Sequence, residues 1–360
     1  MSGGFPPGVA RVMRIAQVAP LIESVPPALY GGTERVVAFL TDELVRQGHD
    51  VALFASGDSR TLARLVTACP SALRLNERCK DPIAPHVFLL EQVAQQADGF
   101  DVIHFHTGHL HFPLVRRLPD VPHVTTIHGR LDLDELRPLY TEFADVPLVS
   151  ISDAQRRPIP DAGWIGTVHH GLPADLLQFH AAPGGYLAFL GRISPEKRVD
   201  RAIAIATACG IPLRIAAKVD PADRDYFEHT IRPLLDNRLV EFIGEIGEAD
   251  KSAFLGGARA LLFPIDWPEP FGLVMIEALA CGVPVVAFDG GSVREVIEDG
   301  VTGYVVSSLD EAIQATLRVD RLERRACRAA FDRKFTAGRM ASQYVRIYRH
   351  VAARTSNLVA

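Results

Sequence analysis

The sequence is poor in cysteine, has no long apolar run and carries no marked excess of one charge sign. Its five cysteines are an odd number and none forms a Cys-x-x-Cys pair, so we expect neither a disulfide framework nor a zinc site. Such cysteine usage is typical of a reducing, cytoplasmic environment. Residues 1–12 lack the apolar core of a secretory signal, and no run of about 18 apolar residues predicts a membrane-spanning helix. A peripheral membrane contact is compatible with these absences.

The charge balance is mildly acidic. The 360 residues carry a formal net charge of −5. Nucleic-acid-binding chains usually show clustered Lys and Arg within a basic balance, so we expect no nucleic-acid partner. With 48% hydrophobic residues, a chain of this length can fold into two domains with separate cores.

Short apolar runs alternate with amphipathic stretches in two successive series, separated by a stretch rich in Pro and Gly at residues 171–185. This alternation predicts parallel sheets with helices on both faces. We therefore predict an α/β protein with two doubly wound, Rossmann-like domains, at residues 1–172 and 173–336. The charged helical tail, residues 337–360, either closes the second domain or crosses back to pack on the first.

Open parallel sheets bind ligands at the carboxyl ends of their strands. Two such crevices facing each other would form a deep cleft, with a nucleotide-linked substrate on one wall and an acceptor on the other. The motifs described next follow predicted strands, where such crevices lie.

The strongest motif is the segment 268–279, which follows a predicted strand and opens a predicted helix. Pro270 stands just before that helix, and the amides of residues 272–274 in its first turn are available to an anion. Glu269 precedes the helix and Glu277 lies about two turns along it, so both carboxylates can face one cleft. The spacing is equally compatible with an ordinary core helix that has a favourable charge, Glu269, near its N-terminus.

Two cations, Arg192 and Lys197, follow the predicted strand at residues 186–190. Cations and amides aimed at a leaving diphosphate would stabilise the negative charge that develops there. From the residues alone, an exposed capping loop is the alternative.

A pair of glycines, Gly31 and Gly32, precedes the first predicted helix and can cradle a phosphate. The full G-x-G-x-x-G fingerprint is absent, so NAD binding is not expected. A tight turn that merely needs glycine is the alternative.

Histidines stand at two predicted strand ends. His128 follows one strand, and an earlier strand end carries a cluster with alternate spacing: His104, His106, His109 and His111. Alternate spacing can indicate a metal site, whereas a single histidine at a strand end is more often structural than catalytic.

These motifs together resemble the family 4 retaining glycosyltransferases. The resemblance extends from Arg11 to about Arg349. It is carried by Glu269 and Glu277 on either side of Phe-Gly, by A-L-A-C-G-V-P-V-V-A at 278–287, and by the later residues 291–303. It implies the GT-B fold, with an acceptor-side first domain and a second domain that binds the nucleotide sugar. Within the family, the sequence is most similar to bacterial proteins labelled as tetrahydrobiopterin glucosyltransferases.

The resemblance also implies a role for each motif. Glu269 would contact the transferred sugar, and His128 would touch that sugar near the reacting carbon. Arg192 and Lys197 would neutralise the diphosphate. The donor-binding residues would be Gly32, Ile246, Phe271, Gly272, Leu273, Val274 and Glu277, with Glu277 on the ribose hydroxyls and Ile246 beside the base. His106 and His109 are read as acceptor-side residues, and no metal site is expected. Lys218 departs from the family pattern, which often has glycine at that strand end.

We therefore expect a retaining hexosyltransferase that uses UDP-glucose and no cofactor, acting on a small-molecule, glycan or lipid-linked acceptor. The front-face displacement implied by the resemblance lets the leaving phosphate help to deprotonate the acceptor. One alternative is a nucleotide-sugar epimerase on the same scaffold, which would need an acid/base pair in place of the two glutamates. The other is a non-catalytic two-domain sugar-binding protein, which would normally be exported.

Overall fold

The computed structural model describes residues 12–28, 31–74, 76–118 and 120–359. Leu29 and Tyr30, which lead into the paired-glycine motif, lie outside the described residues, as do residues 1–11 with Arg11. The chain forms two compact units. Unit 1 holds Met1–Pro27, Thr33–Thr126 and Val345–Ala360, and unit 2 holds Ala28–Gly32 and Ile127–Tyr344.

The elements of the first part of the chain alternate between strands and helices. They are β1 (Arg14–Val18), α1 (Gly32–Arg46), β2 (Asp50–Ser56), β3 (Arg64–Cys69), α2 (Ile83–Gln95), β4 (Val102–Phe105), α3 (Phe112–Val115) and β5 (His123–Thr126). β1, β2 and β4 are buried along almost their whole length, as expected of parallel strands covered on both faces. α1 ends at Arg46, and Gly48, the glycine that the sequence predicts as its C-cap, follows with φ +86° and donates its N–H to Val45 O at 2.9 Å.

The second part of the chain continues the alternation. Its strands are β6 (Leu148–Ser150), β7 (Trp164–Thr167), β8 (Tyr186–Ile193), β9 (Leu213–Val219), β10 (Val240–Gly244), β11 (Ala258–Phe263), β12 (Val285–Phe288) and β13 (Gly303–Val306). Its helices are α4 (Leu136–Glu142), α5 (Val199–Cys209), α6 (Arg224–Tyr226), α7 (Glu248–Gly256), α8 (Leu273–Ala280), α9 (Val293–Val296), α10 (Leu309–Thr316), α11 (Arg324–Lys334) and α12 (Ala337–Val359).

The strands form two sheets, with the orders β3-β2-β1-β4-β5-β6-β7 and β10-β9-β8-β11-β12-β13. The pairs within them whose register is described are parallel, which confirms the predicted α/β class. In the second sheet the chain runs outward from β8 to β10 and then returns to place β11 on the other side of β8. This reversal makes the carboxyl ends of β8 and β11 a topological switch point, where open α/β sheets bind ligands.

One predicted helix differs in the structure. The sequence pattern predicts a single helix over residues 223–235, but only Arg224–Tyr226 is α-helical, followed by a π-helical turn at Phe227–Ile231 and a 3₁₀ turn at Arg232–Leu235. Pro233 has no backbone N–H, so it interrupts the regular i to i−4 ladder.

The last helix contributes a buried tyrosine to unit 1. The Tyr348 hydroxyl lies 3.0 Å from Gln17 Nε2 and 2.7 Å from His104 Nδ1. All three side chains are completely buried. This hydrogen bonding fastens α12 to the carboxyl ends of β1 and β4. Over the part of the chain that the structure describes, no helix is both long and apolar enough to cross a membrane.

Candidate functional site

Glu269 lies buried in the segment that joins β11 to α8. It is 7% exposed, and its Oε2 accepts a hydrogen bond from Trp267 Nε1 at 3.0 Å. The same oxygen forms an ion pair with Lys197 Nζ. A buried carboxylate requires such a partner, because little water remains to solvate it. The structure therefore brings together Glu269 and Lys197, which are 72 residues apart in sequence, at the switch point.

Lys197 also lies against two aromatic rings. Its Nζ is 4.9 Å from the centroid of Trp267 and 5.6 Å from that of Phe263. The neighbouring Arg198 points elsewhere, since it pairs with Asp200 and Asp266 at 2.8 Å each. Lys197, rather than Arg198, is thus the cation beside Glu269.

The loop that carries Glu269 rests on the glycine-serine segment 290–292. Gly291 has φ +57°, and a Cβ atom placed on it would lie 2.1 Å from the Glu269 carbonyl oxygen. Ser292 donates its N–H to Glu269 O at 3.0 Å and its hydroxyl to Phe271 O at 2.8 Å. This support was not predicted, although the Gly-Gly-Ser sequence before a helix is a visible signal of a close backbone approach.

α8 begins directly after this loop. Gly272 precedes its first residue with φ +77°, and a Cβ there would lie 2.8 Å from Met275 Cε. The amides of Leu273 and Val274 are in the first turn, where no helical carbonyl is available to them. Gly32 lies beside this turn, since a Cβ on Gly32 would be 3.6 Å from Leu273 Cδ1. Gly32, Phe271, Gly272, Leu273 and Val274 are thus gathered at one helix N-terminus.

Glu277 lies about one turn into α8 and is 2% exposed. Its Oε1 accepts a hydrogen bond from Lys251 Nζ of α7 at 3.0 Å. Sequence reasoning missed Lys251, because the contact depends on how α7 and α8 pack. Ile246 is half-buried in the loop between β10 and α7.

Arg192 stands at the end of β8 among carboxylates. Its guanidinium lies 2.6 Å from Glu196, 3.7 Å from Asp220 and 3.6 Å from Asp223. Lys218, its register neighbour on β9, lies 2.5 Å from Asp220. Two cations thus share three carboxylates, and an anion that binds here has to displace some of them. Lys218, unassigned from sequence, forms an ion pair in this group.

His128 follows β5; the residue as a whole is half-buried, while the Nδ1 atom of its ring is buried. Its ring stacks on that of His170, with centroids 5.2 Å apart, and the His170 ring contacts Phe271 edge-on at 4.9 Å. Burial lowers the pKa of His128 to about 3, because the charged ring loses hydration. Burial, aided by His128 and His169, also holds the pKa of His170 well below its usual range. The neutral imidazoles of His128 and His170 therefore form a stack, and His170 connects this stack with Phe271 at the end of the Glu269 loop.

His106 and His109, which were predicted to lie on the acceptor side, belong to unit 1. His106 is 3% exposed, and its Nε2 lies 2.8 Å from Gln17 Oε1. His109 is exposed, with its ring centroid 6.4 Å from that of Phe112. His106 thus belongs to a buried polar network, whereas His109 lies at the surface. Among the residues that the structure describes, no three His, Cys, Asp or Glu side chains gather to hold a metal ion.

Two parallel sheets with helices, and the buried Glu269–Lys197 pair beside the N-terminus of α8 at a switch point, are the arrangement expected of a GT-B glycosyltransferase. The family model described as Glycosyltransferase Family 4 matches residues 30–210, half of the chain, and that described as Glycosyl transferases group 1 matches residues 180–329. The protein belongs to the family 4 glycosyltransferases.

One sequence relative and two solved structures show what this chain is similar to. Phosphatidyl-myo-inositol mannosyltransferase of Mycobacterium leprae is 26% identical over 96% of this chain and 99% of its own length. AviGT4, a glycosyltransferase involved in avilamycin A biosynthesis, is 25% identical, with a TM-score of 0.70 over 95% of this chain and 98% of its own. HepE of Anabaena, solved with UDP and glucose, is 18% identical, with a TM-score of 0.74 over 94% of this chain and all of its own.

Proposed function

We propose that this glycosyltransferase is a retaining hexosyltransferase that moves glucose from UDP-glucose to an acceptor hydroxyl. The observation that carries the proposal is the buried Glu269–Lys197 pair beside the first turn of α8. A carboxylate there can hold sugar hydroxyls, while the lysine and the helix amides can hold phosphate oxygens. The UDP and glucose named with HepE support the choice of donor, and the mannosyltransferase relative supports a hexose.

In this proposal the sugar–diphosphate bond breaks as the acceptor oxygen attacks the same face of the anomeric carbon. The acceptor proton passes to the departing phosphate oxygen, so no protein base is needed. Lys197, Arg192 and the amides of Leu273 and Val274 stabilise the charge that develops on the diphosphate. No metal or other cofactor takes part.

The remaining residues bind and orient the donor. Glu277, fixed by Lys251, accepts hydrogen bonds from the ribose hydroxyls. His128 is uncharged at neutral pH, because its pKa is about 3, so it acts as a hydrogen-bonding group on the sugar and not as a cation. Glu269 positions the sugar and does not attack it.

The first experiment measures thermal stabilisation by UDP, GDP and a panel of nucleotide sugars. Acceptor-dependent nucleotide release is then assayed with small-molecule, glycan and lipid-linked acceptors, and NMR defines the anomeric configuration of the product. We expect stabilisation by UDP-glucose and an α-linked product from the α-linked donor. Nucleotide release without an acceptor would indicate an epimerase. Stabilisation by a sugar with no turnover on any acceptor would indicate a binding protein.

A further inference from the structure

A buried turn after β6, residues 152–155, contacts both of the segments that carry Glu269 and His128. Ser152 is fully buried, and Gln155 is 6% exposed. The Ser152 hydroxyl accepts a hydrogen bond from Gln155 N–H at 3.0 Å. It donates its own proton to Pro270 O at 2.7 Å. Its single proton is therefore directed at the residue next to Glu269.

This bond completes the fixation of the Glu269 loop. Ser292 already bonds the carbonyls of Glu269 and Phe271, at 3.0 and 2.8 Å. With Ser152 on Pro270, three successive carbonyl groups each accept a hydrogen bond from a buried serine. Because peptide units are planar, fixing three carbonyls in a row fixes the direction in which the Glu269 side chain leaves the backbone.

Gln155 fixes the His128 segment in a similar way. Its Nε2 donates to Ile127 O at 2.9 Å and to Gly129 O at 2.8 Å, the carbonyls on either side of His128. Its Oε1 accepts from Ile151 N–H at 2.9 Å. The amide cannot be flipped without losing all three bonds, so its orientation is determined.

Glu295 of α9 holds the turn itself. Its carboxylate accepts from the N–H groups of Asp153 and Ala154 at 2.8 Å each, and from His169 Nε2 at 3.1 Å. Burial raises the pKa of this carboxyl, but the hydrogen bonds from His169, Asp153 and Ala154 outweigh burial and hold the pKa below its usual range. The contacts are therefore charge-assisted hydrogen bonds, which are about twice as strong as neutral ones.

We propose that Ser152, Gln155 and Glu295 are positioning residues that set the placement of Glu269 and His128 together through one turn. This inference rests on the proposed transferase function. Ser152 and Gln155 bond backbone carbonyls of the two segments, and Glu295 bonds the backbone of the turn that carries Ser152 and Gln155. All three therefore act through backbone atoms, without contacting substrate. Small displacements at such a point matter, because a misplacement of about 1 Å in a reacting group can lower a rate by about 100-fold.

The test compares Ser152→Ala with Ser150→Ala. Both serines are fully buried and two residues apart, but the Ser150 hydroxyl bonds Thr167 Oγ1 at 2.9 Å, away from the Glu269 loop. We expect Ser152→Ala to lower kcat by about 10- to 100-fold, with the donor KM changed less than about twofold. Ser150→Ala should keep both values. Ser152→Thr, which retains the hydroxyl, should restore most of kcat.

A double-mutant cycle separates positioning from general destabilisation. If Ser152 acts through Glu269, adding Ser152→Ala to a Glu269→Gln variant should cause little further loss of kcat. A purely structural defect would lower the rate by the same factor in both backgrounds. An equal loss in the two backgrounds, or none in either, would overturn the proposal.

A second readout does not need turnover. The chain has two tryptophans, Trp164 and Trp267, and Trp267 bonds Glu269. In a Trp164→Phe background, the emission of Trp267 reports the Glu269 loop. Ser152→Ala should shift that emission and Ser150→Ala should not. If no acceptor is ever glycosylated, the function proposal fails while this shift can still appear. Unchanged Trp267 emission in Ser152→Ala overturns the positioning role alone.

Discussion

The Lys197 ammonium has neighbours of two kinds, one carboxylate and two aromatic rings. The rings contribute about 0.5–2 kcal/mol through cation–π attraction. Removing one member of a buried ion pair typically costs about 3–5 kcal/mol, because the other charge is left uncompensated. The Glu269 carboxylate is therefore the dominant partner. A diphosphate that takes its place has to supply comparable charge.

We predict that Glu269→Gln lowers kcat/KM for transfer by about 100- to 1,000-fold, the range found when one preorganised polar contact to a transition state is lost. The amide keeps the shape of the side chain but removes the charge that faces Lys197. Steady-state kinetics with UDP-glucose measures the effect. Asp266→Asn is the control, since Asp266 is an exposed carboxylate nearby that pairs with Arg198 and Arg201. A full rate in Glu269→Gln would contradict the assignment.

The lowered pKa of His128 predicts how the stability of the protein depends on pH. Its pKa is about 3 in the folded protein and 6.5 when unperturbed, so below pH 6.5 only the unfolded chain takes up the proton. The free energy of unfolding should therefore fall as the pH drops from 6.5 towards 3. One such histidine contributes a slope of up to about 1.4 kcal/mol per pH unit.

Urea unfolding of His128→Asn between pH 6 and 4.5 should show a shallower loss of stability than the wild type. His350→Asn, which removes an exposed histidine, should keep the wild-type slope. Identical slopes for the wild type and His128→Asn would show that His128 is readily protonated in the folded protein.

At the residue scale, residue type near a predicted strand end identified Glu269, Lys197, Arg192 and His128 as candidates, and their roles in transfer stay predictions. Their partners were not identified from sequence, because a pair such as Lys197 and Glu269 depends on strand order, and strand order is not encoded in local spacing. Ser152 and Gln155 act through backbone carbonyls, so no local motif identifies them.

At the level of elements, the short α9 segment and its glycines support the loop before α8. Gly291 permits the close approach of the Glu269 backbone because it lacks a Cβ, and its positive φ is tolerated for the same reason. Gly300 has φ +74° as well, but a Cβ added there would meet nothing within 4 Å. The two glycines therefore share the conformational requirement and differ only in the contact with Glu269.

We predict that Gly291→Ala and Gly300→Ala each lose about 1–2 kcal/mol of stability from the left-handed backbone, with a further loss for Gly291→Ala. Only Gly291→Ala should also lower transfer activity, because its methyl group displaces the Glu269 backbone. Urea unfolding and kinetics on both variants measure this. Equal activity in the two variants would show that the Glu269 loop tolerates the displacement.

The helix predicted to open after Pro270 is α8, and the strand predicted at residues 186–190 forms the first part of β8. β3, β7 and β13 were not predicted. β3 and β7 are half-exposed at the edges of their sheet, so their sequences lack the continuous apolar run of a buried strand. The interrupted helix at residues 223–235 was missed because amphipathic spacing does not reveal the local effect of Pro233.

At the level of the whole molecule, unit 1 includes the last part of the chain. In that part of the chain, Tyr348 bonds Gln17 and His104. Without the hydroxyl, two buried polar groups would lose a partner, and each such loss costs about 1–3 kcal/mol.

We predict that Tyr348→Phe speeds hydrogen exchange of the amides in β1 and β4 and leaves those in β11 and β12 unchanged. Arg346→Ala, on an exposed position of the same helix, should alter neither. Hydrogen-exchange mass spectrometry measures both sheets in one experiment. Faster exchange in β11 and β12 as well would mean that Tyr348 contributes to global stability and not to unit 1 alone.

If the donor diphosphate binds at Arg192 as proposed, the carboxylates around Arg192 and Lys218 make that binding an exchange of ion pairs. The diphosphate would compete with Glu196, Asp220 and Asp223 for the same positive groups. The net binding free energy is the difference between the ion pairs that the anion forms and the ion pairs within the protein that it breaks. An anion therefore binds only if its own ion pairs are stronger than those with the three carboxylates. A lone phosphate, with fewer charges and no nucleoside, is then a poor competitor. Such a site favours a ligand that brings its own additional contacts.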